Sequence, residues 1–158
     1  LIELVLYHIN ALTTKKMKKY VLLIVITGFI TLAHAQSIDV QDVPETVTDA
    51  FSKAYPTISD VDWSKEGINY AVSYAENKLG RSVTWAASGD LIGAKEEIVI
   101  SELPITAMVY VKKNYNEEVV KDASKNTDAQ GTVIYKAEIT GMDLFFDSDG
   151  NFLKSVDN

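Results

Sequence analysis

The feature that most constrains the fold of this chain is a proline-led segment that occurs twice, about 60 residues apart. The first copy runs from Val43-Pro44 to Tyr55 and the second from Leu103-Pro104 to Tyr115. Self-similarity at a fixed period is typical of a repeated structural unit. We therefore predict a tandem repeat of about 60 residues. Two further pairs keep nearly the same spacing: Trp85 with Phe146, and Gly89 with Gly150.

Each proline-led segment predicts a helix. Proline is favoured at the first helical position because its fixed φ suits the helix and its missing N–H has no partner there. Apolar residues then recur at helical spacing and form a single stripe. In the first copy these are Val47, Ala50, Phe51, Ala54 and Tyr55, and in the second Ala107, Tyr110, Val111 and Tyr115.

Alternating apolar and polar residues after each helix predict half-buried strands joined by turns. This pattern is typical of an antiparallel meander. The predicted strands are Ile68–Ala75, Arg81–Ala86, Leu91–Ile92, Val133–Thr140, Met142–Asp147 and Phe152–Val156, with shorter ones near Val61–Ser64 and Val119–Ala123.

These elements predict an α+β fold class. We expect a two-layer arrangement of two helix-plus-antiparallel-meander repeats, with the helices on one face of the sheet. The predicted boundaries are an N-terminal linker at 36–42, a first repeat at 43–98 and a second at 99–158. A unit of about 60 residues buries only about 60% of its surface alone, so we expect the two units to share a sheet or pack tightly.

A secretory signal peptide is predicted at 17–35. Lys18 and Lys19 form a positive n-region, Tyr20–Leu32 is apolar, and Ala33-His34-Ala35 supplies a small-x-small cleavage site. We expect cleavage after Ala35. The residues at 1–16 precede the start of this pattern, and we interpret them as mis-called upstream translation.

The cleaved chain is expected to be periplasmic or secreted and without a stable membrane anchor. A bacterial lipoprotein carries a cysteine directly after its cleavage site, but Gln36 stands there and the sequence contains no cysteine.

Composition excludes several classes of chemistry. The absence of cysteine excludes disulfides and thiolate sites. The two histidines, His8 and His34, both lie in the segment predicted to be removed. This excludes histidine-based catalysis and most zinc, copper and haem sites, so we expect no cofactor and no enzyme activity. The net charge of −7 disfavours nucleic acid as a partner.

The chain resembles the tandem PepSY-like, beta-lactamase-inhibitor-like domains of exported bacterial proteins. The resemblance covers 43–156 and rests on short structural motifs, while Asn116 and Ala123 depart from it. It implies a binder or inhibitor of another envelope protein, without catalytic residues. The motifs are Val43-Pro44, Leu103-Pro104, Tyr55-Pro56, Val61-Asp62-Trp63, Gly67-Ile68-Asn69-Tyr70 and Leu144 through Leu153.

Two other interpretations stay open at the level of sequence. The segment Asp147-Ser148-Asp149-Gly150-Asn151 suggests calcium, although its glycine is at the fourth position and not the sixth as in an EF-hand; a hairpin turn explains it better. The pairs Glu96-Glu97 and Glu117-Glu118 suggest a carboxylate-based hydrolase, but a solvated loop or helix end explains them much better.

The candidate partner-binding site centres on Phe145. Alternation places this aromatic on the polar side of its strand, with Asp143. Strand pairing is expected to bring it near Thr84, or near Lys136, Glu138 and Thr140, on the side opposite the helices. An aromatic residue among polar ones on an open sheet face is a plausible contact point for a protein.

We therefore predict a soluble binding module that engages another envelope or secreted protein through its uncovered sheet face. A calcium-responsive acidic protein is the alternative, and a carboxylate-based hydrolase is less favoured. Open sheet edges also allow a dimer.

Overall fold

The computed structural model describes residues 36–116 and 118–158. The predicted upstream segment at 1–16, the signal peptide at 17–35 and its cleavage site lie outside the described residues. No helix within the described ranges is long and apolar enough to cross a membrane.

The described residues form one nine-stranded antiparallel sheet in which the strands follow one another in chain order. Every neighbouring pair of strands is antiparallel. The strands are β1 Gln36–Ser37, β2 Asp62–Glu66, β3 Asn69–Glu76, β4 Leu79–Ala86, β5 Leu91–Ile98, β6 Asp122–Asp128, β7 Val133–Ile139, β8 Met142–Phe146 and β9 Phe152–Asp157.

Two ten-residue helices accompany the sheet: α1, Glu45–Ala54, and α2, Ile105–Asn114. Pro44 and Pro104 directly precede them, in agreement with the proline-led starts read from the sequence. Each helix follows a three-residue 3-10 turn, Val40–Asp42 or Ile100–Glu102.

Both helices cover the same face of the sheet. Val47 and Phe51 of α1 are buried in one apolar cluster, and Ala107 and Val111 of α2 in another. The strand register places the buried strand residues of both clusters on one side, which we call the covered face. Its buried strand residues are Trp63, Val72, Val83 and Trp85 under α1, and Ala123, Ala137, Ile139, Leu144 and Phe146 under α2.

The predicted α+β fold class of two helix-plus-meander repeats is wrong. The described residues are mostly a continuous nine-stranded sheet with only two short helices. The decisive feature is the junction in the middle, where β5 and β6 pair along six residues from Gly93↔Asp128 to Ile98↔Ala123. The ladder of hydrogen bonds therefore continues through the point where the sequence predicts a boundary between units.

The pairing of β5 with β6 is not evident from the sequence because the middle of each strand is polar on both faces. Glu96 and Lys125 pair on the covered face, and Lys95 and Asn126 on the other. Such segments resemble solvated loops, since a half-buried strand normally has one apolar face. As a result β5 is much longer than the predicted Leu91–Ile92, and β6 begins where the predicted strand Val119–Ala123 nearly ends.

Two smaller differences concern the first half of the sheet. Residues 36–42 were predicted to be a linker, but β1 adds to β2 through the pairs Gln36↔Lys65 and Ser37↔Ser64. Ile68 was predicted to be a strand residue with an apolar orientation. It lies instead in the β2–β3 turn next to Gly67, whose φ is 65°, and it is 85% exposed.

Candidate functional site

The face of the sheet opposite the helices is the candidate site, and we call it the uncovered face. The strand residues in the two helix-packed clusters lie on the covered face. Small and polar side chains dominate the uncovered face, which also carries Phe145, Ile134 and Val156. The small and polar ones include Ser64, Ala71, Ser73, Ser82, Thr84, Gly93, Lys95, Glu97, Ser124, Asn126, Lys136, Glu138, Asp143 and Lys154.

Lys136 is the centre of an ionic cluster on β7 and β8. Its ammonium lies 3.1 Å from a carboxylate oxygen of Asp143 and 3.3 Å from one of Glu138. Glu138 and Asp143 are themselves directly opposite in the register. Asp143 also accepts a hydrogen bond of 3.2 Å from the Asn158 side chain. The positive charge of Lys136 is therefore neutralised within the protein.

Phe145 is half-buried next to this cluster, directly opposite Lys136 on β7 and Lys154 on β9. The Lys154 ammonium lies over the Phe145 ring, 5.1 Å from its centroid, which is cation–π geometry. Burial lowers the pKa of the Lys154 ammonium below its usual value. Among the described residues, Lys154 has no ion-pair partner.

Lys154 was not among the predicted site residues because a β-bulge determines its orientation. A strict alternation starting from Phe152, which packs in the core, would put Lys154 on the covered face. The register shifts between Phe145 and Phe146, so that Leu153 is the extra residue and Lys154 turns to the uncovered face. A bulge of this kind leaves no clear mark in the alternation of a six-residue strand.

Thr84 and Thr140 do not join the cluster. Thr84 lies on β4 opposite Ala71 and Gly93, three strands away from Lys136, which is about 14 Å at the usual strand spacing. Thr140 is exposed in the β7–β8 turn, where its backbone N–H donates to Glu118 at 3.3 Å. The structure therefore brings together Lys136, Glu138, Asp143 and Phe145 of the six predicted residues.

A polar groove of about 450 Å³ lies toward the other end of the uncovered face, over β2 to β5. One wall carries Asp60 and Asp62, and the floor carries Ser73 and Ser82, whose hydroxyls lie 3.4 Å apart. Glu97 accepts a hydrogen bond of 2.7 Å from the Gly80 backbone N–H. The groove joins the ionic cluster because Glu97, Ser124 and Lys136 are successive cross-strand neighbours.

Ser124 occupies the middle of the uncovered face and is only 2% exposed. Its hydroxyl has no hydrogen-bond partner among the described residues. An unpaired buried hydroxyl costs stability, and here it lies between Glu97 and Lys136.

The turn at Asp147 is a hydrogen-bonded hairpin turn. One carboxylate oxygen of Asp147 accepts from the backbone N–H groups of Asp149, at 3.0 Å, and Asn151, at 2.8 Å. The other accepts from the Asn151 side chain at 3.0 Å. Burial alone would raise the pKa of Asp147, but these hydrogen bonds outweigh it and lower the pKa. Both carboxylate oxygens of Asp147 therefore accept hydrogen bonds from within the turn, as expected for a hairpin turn.

Glu96 and Glu97 do not form a catalytic arrangement, and Glu117 of the second predicted pair lies outside the described residues. Glu96 and Glu97 are adjacent on β5 and therefore point to opposite faces. Glu96 forms an ion pair with Arg81 on the covered face, whereas Glu97 is bonded to Gly80 on the uncovered one. Residues 36–116 and 118–158 contain no group of three or more acidic or histidine side chains that could hold a metal ion.

Solved structures resemble this sheet over most of the chain. A protein assigned provisionally to the periplasm of Bacteroides eggerthii has a TM-score of 0.67 at 17% identity, covering 73% of this chain and 88% of its own. A BLIP-like protein from Bacteroides fragilis has a TM-score of 0.59 at 22% identity, covering 72% and 86%. The chain has the BLIP-like fold.

A third structure with this BLIP-like fold is a DUF2874-family protein from Bacteroides ovatus, with a TM-score of 0.66 and 21% identity over 73% of this chain and 89% of its own. No protein-family model matches the sequence, and no curated protein shows significant similarity to it. At these identities the similarity establishes the fold alone.

Proposed function

We propose that this chain is a non-catalytic binding module of the periplasm or the secreted fraction. It engages another protein through its uncovered face and acts as an inhibitor or accessory of that protein. The observation that carries this proposal is the half-buried Phe145, an aromatic residue among mostly polar side chains on a face that neither helix covers. Aromatic anchors surrounded by polar groups are typical of protein-binding sites.

The fold of the structural relatives supports the location and the kind of role. One relative is assigned provisionally to the periplasm and another is BLIP-like. The predicted signal peptide at 17–35 agrees with export. The finer assignment to tandem PepSY-like domains rests on the motifs Val43-Pro44, Leu103-Pro104 and Val61-Asp62-Trp63.

A non-catalytic role is supported by how the acidic side chains are used. On the uncovered face, Glu138 and Asp143 both neutralise Lys136, and Glu97 holds the Gly80 N–H. A general acid or base needs a carboxyl group that is free to exchange a proton with a substrate.

A comparative pull-down from the native cell envelope tests the proposal. The baits are the wild-type protein, Phe145→Arg on the uncovered face, and Ser52→Arg on the exposed side of α1 as a matched control. We expect a partner that wild type and Ser52→Arg retain and that Phe145→Arg loses. The purified complex should then lose at least about tenfold in affinity on Phe145→Ala, the size expected for an interface anchor. Equal loss from both arginine variants, or unchanged affinity of Phe145→Ala, would contradict the proposal.

A further inference from the structure

We infer that the partner brings an acidic protein segment to the uncovered face. A carboxylate of this segment pairs with the Lys154 ammonium, and the methylene groups of the same acidic side chain lie on the Phe145 ring. This inference rests on the proposed function, because it specifies the chemistry of the partner at the same site. It follows from the position of the Lys154 ammonium, which lies over the Phe145 ring and has no carboxylate within ion-pair distance among the described residues.

The lysines of the uncovered face differ in how they are neutralised. Lys136 contacts two carboxylates, whereas Lys154 contacts the Phe145 ring and no carboxylate among the described residues. Lys95 also lacks an ion pair there, but its side chain is exposed and therefore solvated.

Lys154 is unmatched and also partly desolvated. The residue is half-buried, its ammonium lies against an aromatic ring, and burial lowers its pKa. A desolvated ammonium gains more from an incoming carboxylate than an exposed one does, because less water has to be displaced and the local dielectric is lower.

The acidic residues nearby do not compete for Lys154. Asp143 accepts from Lys136 and from Asn158, and Glu138 accepts from Lys136. Counted together, Lys136 and Lys154 balance the charges of Glu138 and Asp143, so this patch is formally neutral within a sequence that carries −7. The long-range field of the protein therefore opposes an acidic segment, which has to be held by the short-range pairing at Lys154.

The position of Lys154 leaves room for such a segment. In the part of the chain that the structure describes, β9 is an edge strand, so no described strand flanks Lys154 on its outer side. A segment that approaches over this edge can reach the ammonium and the Phe145 ring together. A glutamate suits both contacts, since its two methylene groups can lie on the ring while its carboxylate reaches the lysine.

The test is an NMR titration of the purified protein with acetyl-hexaglutamate, and with acetyl-hexalysine as the opposite charge. We expect hexaglutamate to shift the Phe145 ring and Lys154 side-chain signals in a saturable way. Lys154→Gln should weaken this binding about tenfold, as for the loss of one charge-assisted hydrogen bond. Lys95→Gln is the matched control and should change it less than twofold. Equal effects of the two variants, or preferential binding of hexalysine at Phe145, would overturn the inference.

A second measurement separates this inference from an edge-protecting role for Lys154. Lysines on edge strands prevent the pairing of sheets between molecules. If protection is the only role, Lys154→Gln self-associates in sedimentation velocity and the wild type does not bind hexaglutamate, which overturns the inference. The inference requires hexaglutamate binding by the wild-type monomer.

The partner captured in the envelope pull-down distinguishes failure of the inference from failure of the proposed function. A partner lost by Phe145→Arg but retained by Lys154→Gln, and not displaced by hexaglutamate, leaves the proposed function standing and overturns the acidic segment. A wild-type protein that captures no such partner counts against the proposed function, while the titration still decides whether Lys154 binds carboxylates.

Discussion

The hairpins β4–β5 and β8–β9 have the same backbone design but place different residues on the uncovered face. Each carries one bulge, between Thr84 and Trp85 in the first and between Phe145 and Phe146 in the second. Directly before the bulge, the first hairpin presents the pair Thr84–Gly93 and the second presents Phe145–Lys154.

The covered side of these hairpins differs much less. Trp85 and Phe146 are both buried under a helix. Each turn glycine also packs against a helix N-terminus, Gly89 near Thr46 and Gly150 near Pro104. The apolar packing that stabilises the fold therefore lies mainly on the covered face. The side chains of the uncovered face can differ between the hairpins and are available to bind a partner protein.

Phe146→Ala and Phe145→Ala test this division most strongly. Phe146 is fully buried, so its truncation should lower the free energy of unfolding by about 3–5 kcal/mol. Phe145→Ala should cost about 1 kcal/mol or less, because the ring is only half-buried. Urea unfolding followed by tryptophan fluorescence measures both. Similar losses from the two variants would show that the uncovered face is part of the core.

The turn glycines should show the next largest effect. Gly89 and Gly150 have φ values of 87° and 82°, and an added Cβ would lie 2.7 Å from the Thr46 carbonyl oxygen or from Pro104 Cβ. We expect each alanine variant to lose about 2–4 kcal/mol from strain and steric clash. Gly141→Ala is the matched control, since its φ is 71° and nothing lies within 4 Å. It should lose only about 1–2 kcal/mol, and a loss equal to that of Gly150→Ala would contradict the packing argument.

Asp147→Ala should remove a pH-dependent contribution to the stability of the protein. The first hairpin has Ala86 at the corresponding turn position and lacks this contribution. The pKa of Asp147 is lowered in the folded state. Its stabilisation is therefore present above the unfolded-state pKa and is lost as the pH falls through the folded-state pKa. We expect a loss of about 1–2 kcal/mol at pH 7. The difference from wild type should shrink below about pH 4, which thermal unfolding at several pH values would show; a constant difference would contradict it.

Lys136→Gln should have the smallest effect on stability. Its ion pairs with Glu138 and Asp143 lie at a partly exposed surface, where such pairs contribute about 0–1 kcal/mol. The loss should decrease as salt is added. Lys95→Gln serves as the control without an ion pair and should be neutral within about 0.5 kcal/mol. A salt-independent loss from Lys136→Gln would indicate a structural role other than the ion pairs.

The local structure of this chain could be predicted from its sequence much better than its architecture. Pro44 and Pro104 mark the helix starts correctly, and alternation found β3, β4, β7, β8 and β9 to within a few residues. A shared sheet was one of two expected arrangements, but the pairing of β5 with β6 was missed because Lys95, Glu96 and Glu97 make β5 polar on both faces. Whether polar strands pair depends on long-range neighbours, which one sequence does not reveal.

Only part of the candidate site could be predicted, because the rest of it also depends on long-range strand pairing. Alternation alone put Phe145 on the polar face, and pairing with β7 brought it next to Lys136. The distance of Thr84 depends on the number of strands between β4 and β7, and the orientation of Lys154 depends on a bulge. Both are properties of register that hydrophobic periodicity does not contain.

The most direct test of the account is site-specific photo-crosslinking in cells that export the protein. A benzophenone amino acid is placed at position 145, at position 84 on the uncovered side of the first hairpin, and at position 52 on the exposed side of α1. We predict a discrete adduct with an envelope protein from position 145, a weaker one or none from position 84, and none from position 52. An adduct from position 52 but not from position 145 would contradict binding through the uncovered face.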